Sequence, residues 1–165
     1  MTTLRLDPRR TALVLIDLMP RIVALDTAPH SGPEVLARCV ALAKATRSVG
    51  GLVVNVRVER PGVDIQPEGS GFAPELAPQA GDVEIVKPTV GAFGRTGLDE
   101  QLQRRDIETV ALAGIATNFG VESTARGAAD LGYETVYITD AMTGLDRDAH
   151  EFALSYVFPR FGVLC

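Results

Sequence analysis

Three places in this chain combine residue types that could do chemistry. Asp17 closes the apolar run Thr11–Asp17, TALVLID. A carboxylate at the end of a buried segment is partly desolvated, which raises its pKa and suits it to proton transfer. A helix cap or loop carboxylate is the plainer alternative. Lys87 closes Glu84-Ile-Val-Lys87, just before Pro88. An ammonium near a buried carboxylate can hold it ionised and orient a substrate. A solvated lysine is the plainer alternative. The third place is the turn Gly114-Ile-Ala-Thr-Asn-Phe-Gly120. Backbone amides at the start of a helix favour negative charge, so a developing oxyanion could sit there. Otherwise it is an ordinary turn. It has neither the glycine spacing of a dinucleotide fingerprint nor the Gly-Lys-Ser/Thr of a P-loop.

The elements that must position these groups alternate between strands and helices. Thr11–Asp17 has the nearly continuous apolar pattern of a strand buried on both faces. Ser31-Gly-Pro-Glu34 is a capping-box signature. It opens a helix with Val35, Leu36, Cys39, Leu42 and Ala43 on one face, ending at Gly50-Gly51. Leu52–Val58, LVVNVRV, is a second buried strand. Residues 59–81, rich in proline and glycine, read as a surface excursion long enough to be functional. Asp82–Lys87 is a third strand. Thr96 is expected to cap a helix through Gln103, with Asp99 completing a capping box. Thr109–Ala113 is a strand, Phe119–Leu131 a helix and Thr135–Thr139 a strand. Asp146 caps a last helix that Pro159 stops, and Phe161–Cys165 supplies a sixth strand. This order implies one three-layer α/β/α domain over residues 1–165, doubly wound about a mostly parallel six-stranded sheet. Ligands in such sheets bind beyond the carboxyl ends of the strands. Asp17, Lys87 and the 114–120 turn all fall there.

Composition excludes several classes. An apolar fraction of 46% over 165 residues suits a full core, and a net charge of −5 gives no support for nucleic-acid binding. No apolar run approaches the ~18 residues of a membrane span. The N-terminus shows no signal-peptide core, so a cytoplasmic location is expected. Cys39 and Cys165 lack metal or redox spacing. Cys39 lies on the apolar side of a helix, as a buried thiol would.

Taken together, a set of segments resembles the isochorismatase-like hydrolase superfamily, also called the cysteine hydrolase family. They are Leu13-Val-Leu-Ile-Asp17, Lys87 with Gly91-Ala-Phe93 and Thr96, and Gly114-Ile-Ala-Thr-Asn-Phe-Gly-Val-Glu-Ser-Thr-Ala-Arg126. Leu131-Gly-Tyr133, Asp140-Ala141, His150 and Phe158-Pro-Arg160 extend the likeness through nearly the whole chain. The family's typical amidohydrolases use an aspartate, a lysine and a cysteine. Asp17 and Lys87 match the first two, and the cysteine position falls on Gly120. The fragment Thr-Asn-Phe-Gly-Val-Glu is similar to a subgroup with glycine there. Isochorismatases proper also carry glycine and cleave a vinyl ether, with the aspartate as acid/base and no covalent intermediate. The residues around Gly120 look instead like the amidohydrolase branch. Met19 stands where many relatives have glutamine. Nicotinamidase-like members bind a metal near the second strand. This chain has Asn55, Arg57, Glu59, Arg60 and Asp64 there and no histidine, so neither metal nor other cofactor is expected.

The resemblance implies a small-molecule hydrolase. Asp17 would activate water or protonate a leaving group, and Lys87 would hold Asp17 and polarise the substrate. The amides of Ala116 and Gly120 would stabilise negative charge, with a cis peptide before Ala116. Asn118, Phe93, Phe119, His30 and Arg57 are the candidate substrate contacts. His30 could equally be a surface loop residue, Phe93 and Phe119 core, and Arg57 solvated. His150 reads as packing or a scaffold hydrogen bond, and Glu122 with Arg126 as an i,i+4 pair. Ser123 and Thr124 have no histidine nearby in sequence to activate them. A homo-oligomer is implied by resemblance alone, and relatives usually continue into a closing helix after the sixth strand. The rival reading is a catalytically silent relative that binds a metabolite or protein partner.

Overall fold

The computed structural model describes residues 4–165; the N-terminal reading rests partly on residues 1–3, which lie outside the described residues. In chain order the elements are β1 (Thr11–Ile16), α1 (Pro20–Val23), α2 (Gly32–Ser48), β2 (Leu52–Val58), β3 (Val83–Lys87), α3 (Leu98–Gln103), β4 (Thr109–Ile115), α4 (Glu122–Asp130), β5 (Glu134–Thr143), α5 (Arg147–Phe152) and β6 (Gly162–Leu164). The sheet order is β3-β2-β1-β4-β5-β6, and every adjacent pair is parallel. The chain winds outward from β1 to β3, then restarts at β4 and winds the other way. The switch point therefore lies between β1 and β4, and the crevice at their carboxyl ends is where such a sheet binds ligands.

Alternate residues of β1 serve opposite faces, which explains its unbroken apolar run. Ala12, Val14 and Ile16 join the core under α3, α4 and the segment after α5. Leu13 and Leu15 join the core under α2, with Val35, Cys39 and Ala43. The Ser31 capping box is present: Glu34 N–H donates to Ser31 Oγ at 3.4 Å, and Ser31 N–H to Glu34 Oε2 at 2.9 Å. Asp146 caps α5 by accepting from Ala149 N–H at 2.9 Å.

Three local readings change. The residue at the N-cap of α3 is Gly97, although Thr96 Oγ1, one residue earlier, accepts from Leu98 N–H at 3.3 Å, and Asp99 does not close a box. Asp99 instead accepts from the Tyr133 hydroxyl at 2.6 Å, while Thr96 Oγ1 donates to Ala92 O at 2.5 Å. The helix expected from Phe119 is preceded by a wide π-type turn over Thr117–Val121. Strand β5 runs on to Thr143, because the register against β4 jumps between Leu112 and Gly114 and readmits Met142 and Thr143 to the ladder. Asp140 interrupts the apolar pattern there and made the strand look finished. No helix among the described residues is long and apolar enough to cross a membrane.

Candidate active site

Asp17 lies one residue beyond β1, with φ at +53°. A non-glycine residue there is uncommon, and aspartate is among the few that tolerate it. Its N–H donates to Val56 O at 2.9 Å and its carbonyl accepts from Met19 N–H at 2.9 Å, so both sides of the turn are pinned. Met19, in the position that many relatives of the resembled family give to glutamine, is fully buried at the start of α1. Lys87 ends β3, two strands away, and its side chain reaches back under the loop that follows. Its Nζ stands 2.8 Å from Asp17 Oδ2, 2.7 Å from Val90 O and 3.3 Å from Thr89 O. Lys87 is 2% exposed and Asp17 7%.

An ammonium has three donors, and these contacts account for all of them. Lys87 thus clamps Asp17 to the 88–94 loop. Asp17 Oδ1 is buried and without a hydrogen-bond partner. Burial lifts the Asp17 pKa above its ordinary 3.8; the Lys87 charge and hydrogen bond, then the charge of Arg21, pull it part of the way back. Desolvation of the charged form wins over a favourable ion pair.

The 114–120 turn closes the other side. Gly114 has φ +121°, and a Cβ there would stand 2.2 Å from Ile16 O. The peptide Ile115–Ala116 is cis, as the resemblance implies. A Cβ on Gly120 would stand 2.8 Å from Ile16 Cγ2 and 3.1 Å from Asp17 Oδ2. Thr124, on α4, donates to Gly120 O at 2.6 Å and accepts from Ala92 N–H at 3.0 Å, which ties the turn to the lysine loop. That hydroxyl is buried and engaged at both ends. We expect Gly120→Ala to be destabilised by about 1–3 kcal/mol, because the β-branched Ile16 has no free rotamer to retreat into. Urea unfolding of the pair checks this, and an unchanged midpoint would contradict it.

The other candidates distribute as follows. Asn118 Oδ1 is buried and unpartnered, 3.5 Å from where a Cβ on Gly144 would be. Thr117 Oγ1 and His150 Nδ1 are 2.8 Å apart, and burial lowers the pKa of His150. His150 is therefore a scaffold group. His30 is held through its backbone, which exchanges hydrogen bonds with Thr143 Oγ1 at 3.2 and 2.8 Å. Ala116 is buried and Phe119 is half exposed at the turn. Phe93, expected at the pocket, instead packs into the α4-side core, stacked on Tyr133 with centroids 5.9 Å apart. Arg57, expected to meet an anion, already pairs with Glu59 at 2.6 Å and lies over the Phe72 ring. Glu122 and Arg126 form the i,i+4 pair at 2.9 Å.

The segment where the resembled family holds a metal offers poor donors. Asn55 Nδ2 donates to Asp82 Oδ2 at 3.4 Å, and Glu59 is taken by Arg57. An amide and an arginine pair with no histidine do not fit a divalent ion. Sequence reasoning missed Arg21, which lies in α1 near Asp17, and the backbone acceptors Thr89 O and Val90 O. No residue-type signal marks either.

Residues 11–165 match the model of the isochorismatase domain. The chain is 42% identical over 179 residues to the uncharacterized isochorismatase family protein YwoC of Bacillus subtilis, covering 98% of this chain and 93% of that protein. It is 30% identical over 175 residues to the maleamate amidohydrolase of Pseudomonas putida, covering 93% of this chain and 82% of that enzyme. The structure of an isochorismatase family protein from Burkholderia thailandensis superposes with a TM-score of 0.87 at 40% identity, covering 96% of this chain and 92% of that one. The sheet order, the three converging segments and these likenesses agree, and the chain belongs to the isochorismatase family.

Proposed function

We propose that this chain is a small-molecule hydrolase whose proton-transfer group is Asp17 and which forms no covalent intermediate. The observation that carries the reading is the asymmetry of the Asp17 carboxylate. Oδ2 is fixed by Lys87, while Oδ1 is buried and unpartnered. A buried acceptor left without a partner costs free energy, and a reacting water or substrate proton would satisfy it. Gly120 stands where cysteine hydrolases of the resembled family carry their nucleophile, and the absence of a side chain leaves that role to water. In the direction of amide cleavage, Oδ1 takes a proton from water while the water oxygen adds to the carbonyl carbon. The charge that develops on the carbonyl oxygen is met by amides of the 116–120 turn. Asp17 then returns the proton to the leaving nitrogen. Similarity to a maleamate amidohydrolase favours a small amide over a vinyl ether.

A hydrolase screen over maleamate, nicotinamide and isochorismate tests this. Turnover of any one, lost in Asp17→Asn, supports the reading. Wild-type rates equal to those of Asp17→Asn on all of them would favour the silent, ligand-binding alternative. Cys39 should be irrelevant. It is buried on α2, its thiol is pushed up to about 12 by burial and then by Asp140, and it donates to Ala141 O at 3.6 Å. Thiolates rather than thiols are nucleophiles. Cys39→Ser should therefore retain full kcat/KM in the same assay.

A further inference from the structure

The turn that carries the charge-receiving amides is held at both ends by threonine hydroxyls. At its far end Thr124 Oγ1 donates to Gly120 O at 2.6 Å. At its near end the fully buried Thr117 places Oγ1 2.8 Å from Nδ1 of His150, on α5, and His150 is itself 3% exposed. Between them, Phe119 N–H and Val121 N–H both donate to Ala116 O, at 3.1 and 3.2 Å. The segment leading into α5 packs on the same residues. A Cβ on Gly144 would stand 3.2 Å from His150 Cβ and 3.5 Å from Asn118 Oδ1. His150 N–H donates to Asp146 O at 3.1 Å, so the ring is carried by a fixed backbone.

This pairing decides where the protons sit. Among the described residues the Thr117 hydroxyl meets one partner, His150 Nδ1. If Nδ1 carried a proton, the proton of the Thr117 hydroxyl would be buried without an acceptor, at a cost of about 1–3 kcal/mol. The neutral ring protonated on Nε2 is the form in which Nδ1 accepts and no donor is orphaned. A second proton, added at Nδ1, reverses the contact and strands the hydroxyl. Burial lowers the His150 pKa first; His30 then lowers it, Glu151 raises it and Arg147 lowers it. The turn contributes no ionisable side chain, and Asp146 spends its carboxylate on Ala149 N–H.

We propose that His150 is a positioning residue: neutral, it accepts from Thr117 and holds the 116–120 turn in its working shape, and its protonation releases the turn. The effect on rate rests on the hydrolase reading, whereas the coupling of ring to turn stands on the Thr117 contact itself. Two protonations then switch the enzyme off in acid, one at Asp17 and one at His150. Below both, log kcat/KM should fall with a slope of two against pH, where a single proton-transfer group gives a slope of one.

Nitrogen NMR tests the coupling without turnover. The chain has two histidines, so the ring signal lost in His30→Asn assigns the other. In Asp17→Asn, which removes the neighbouring titration, the neutral His150 ring should be the Nε2–H tautomer. The Asn118, Phe119 and Gly120 amides should shift with pH at the midpoint of that ring. Adding His150→Asn, whose side-chain oxygen is an acceptor that does not titrate, should stop them moving. Kinetics on maleamate give the second readout. His150→Leu should lower kcat by about tenfold to a hundredfold with KM little changed, the range of a small misplacement. His150→Asn should recover most of that loss and reduce the acid slope from two to one. Thermal melts of each variant confirm folding. An Nδ1–H tautomer, turn amides indifferent to the His150 titration, or the same acid slope in wild type and His150→Asn would overturn the proposal. Turn amides that follow His150 in a chain without hydrolase activity would sink the hydrolase reading and keep the coupling.

Discussion

Asp17→Asn is expected to lower kcat by about 10²–10⁴-fold with the fold intact, the range over which a positioned proton-transfer group acts. Asparagine suits the position for a physical reason. The backbone there has φ +53°, and asparagine, like aspartate, tolerates the left-handed region. The side-chain oxygen can still accept from Lys87, so the clamp persists while the ionisable carboxyl is gone. The pH profile carries the same signature. Burial raises the Asp17 pKa above 3.8, so kcat/KM for a base-catalysed step should rise with pH along a limb lying above the usual carboxylate range. A wild-type rate in Asp17→Asn would remove Asp17 from the chemistry.

Lys87→Met should be the most destabilising single change at this site, by about 3–5 kcal/mol near neutral pH, since it leaves a buried carboxylate without its cation. Val90 O and Thr89 O lose their donor at the same time. The effect should depend on pH in a definite direction. With Lys87 gone, the largest influence holding the Asp17 pKa down disappears, and the folded value rises further above the unfolded one. An acid whose folded pKa is raised stabilises the fold while protonated, and that contribution is lost as pH rises through the folded pKa. The deficit should therefore be small in acid and widen as pH climbs. Denaturant melts at several pH values measure it. The double variant Asp17→Asn with Lys87→Met removes both charges and should recover much of the stability but none of the activity. A deficit that is constant with pH would mean that Asp17 and Lys87 are not coupled as described.

The parts of this site that were legible in the sequence are those fixed by strand ends. Asp17 and Lys87 each terminate an apolar run, and a doubly wound sheet sends such ends to one edge. The 114–120 turn follows the same rule. What could not be read is what crosses between elements. The loop after Lys87 turns so that Thr89 O and Val90 O consume the lysine's donors, and this depends on Thr124 holding Ala92. Phe93 looked like pocket lining because it sits beside the motif, yet it points to Tyr133 and the α4-side core. Arg57 was a free cation in the sequence, and its partner Glu59 is two residues on along the same strand direction. Arg21 was silent because its side-chain partner, Ser70, lies forty-nine residues further along the chain. The break in β5 hid four strand residues, since the chain bulges at Asp140 and then resumes.

The central claim is that hydrolysis here proceeds from Asp17 and water without attachment of the substrate to the protein. Intact-mass spectrometry of enzyme quenched within a single turnover of maleamate tests it most directly. The unmodified mass of the 17.6 kDa chain at every time point, with product accumulating, is the expected result. A transient adduct mapped to Asp17, Ser123, Thr124 or Cys39 would contradict it.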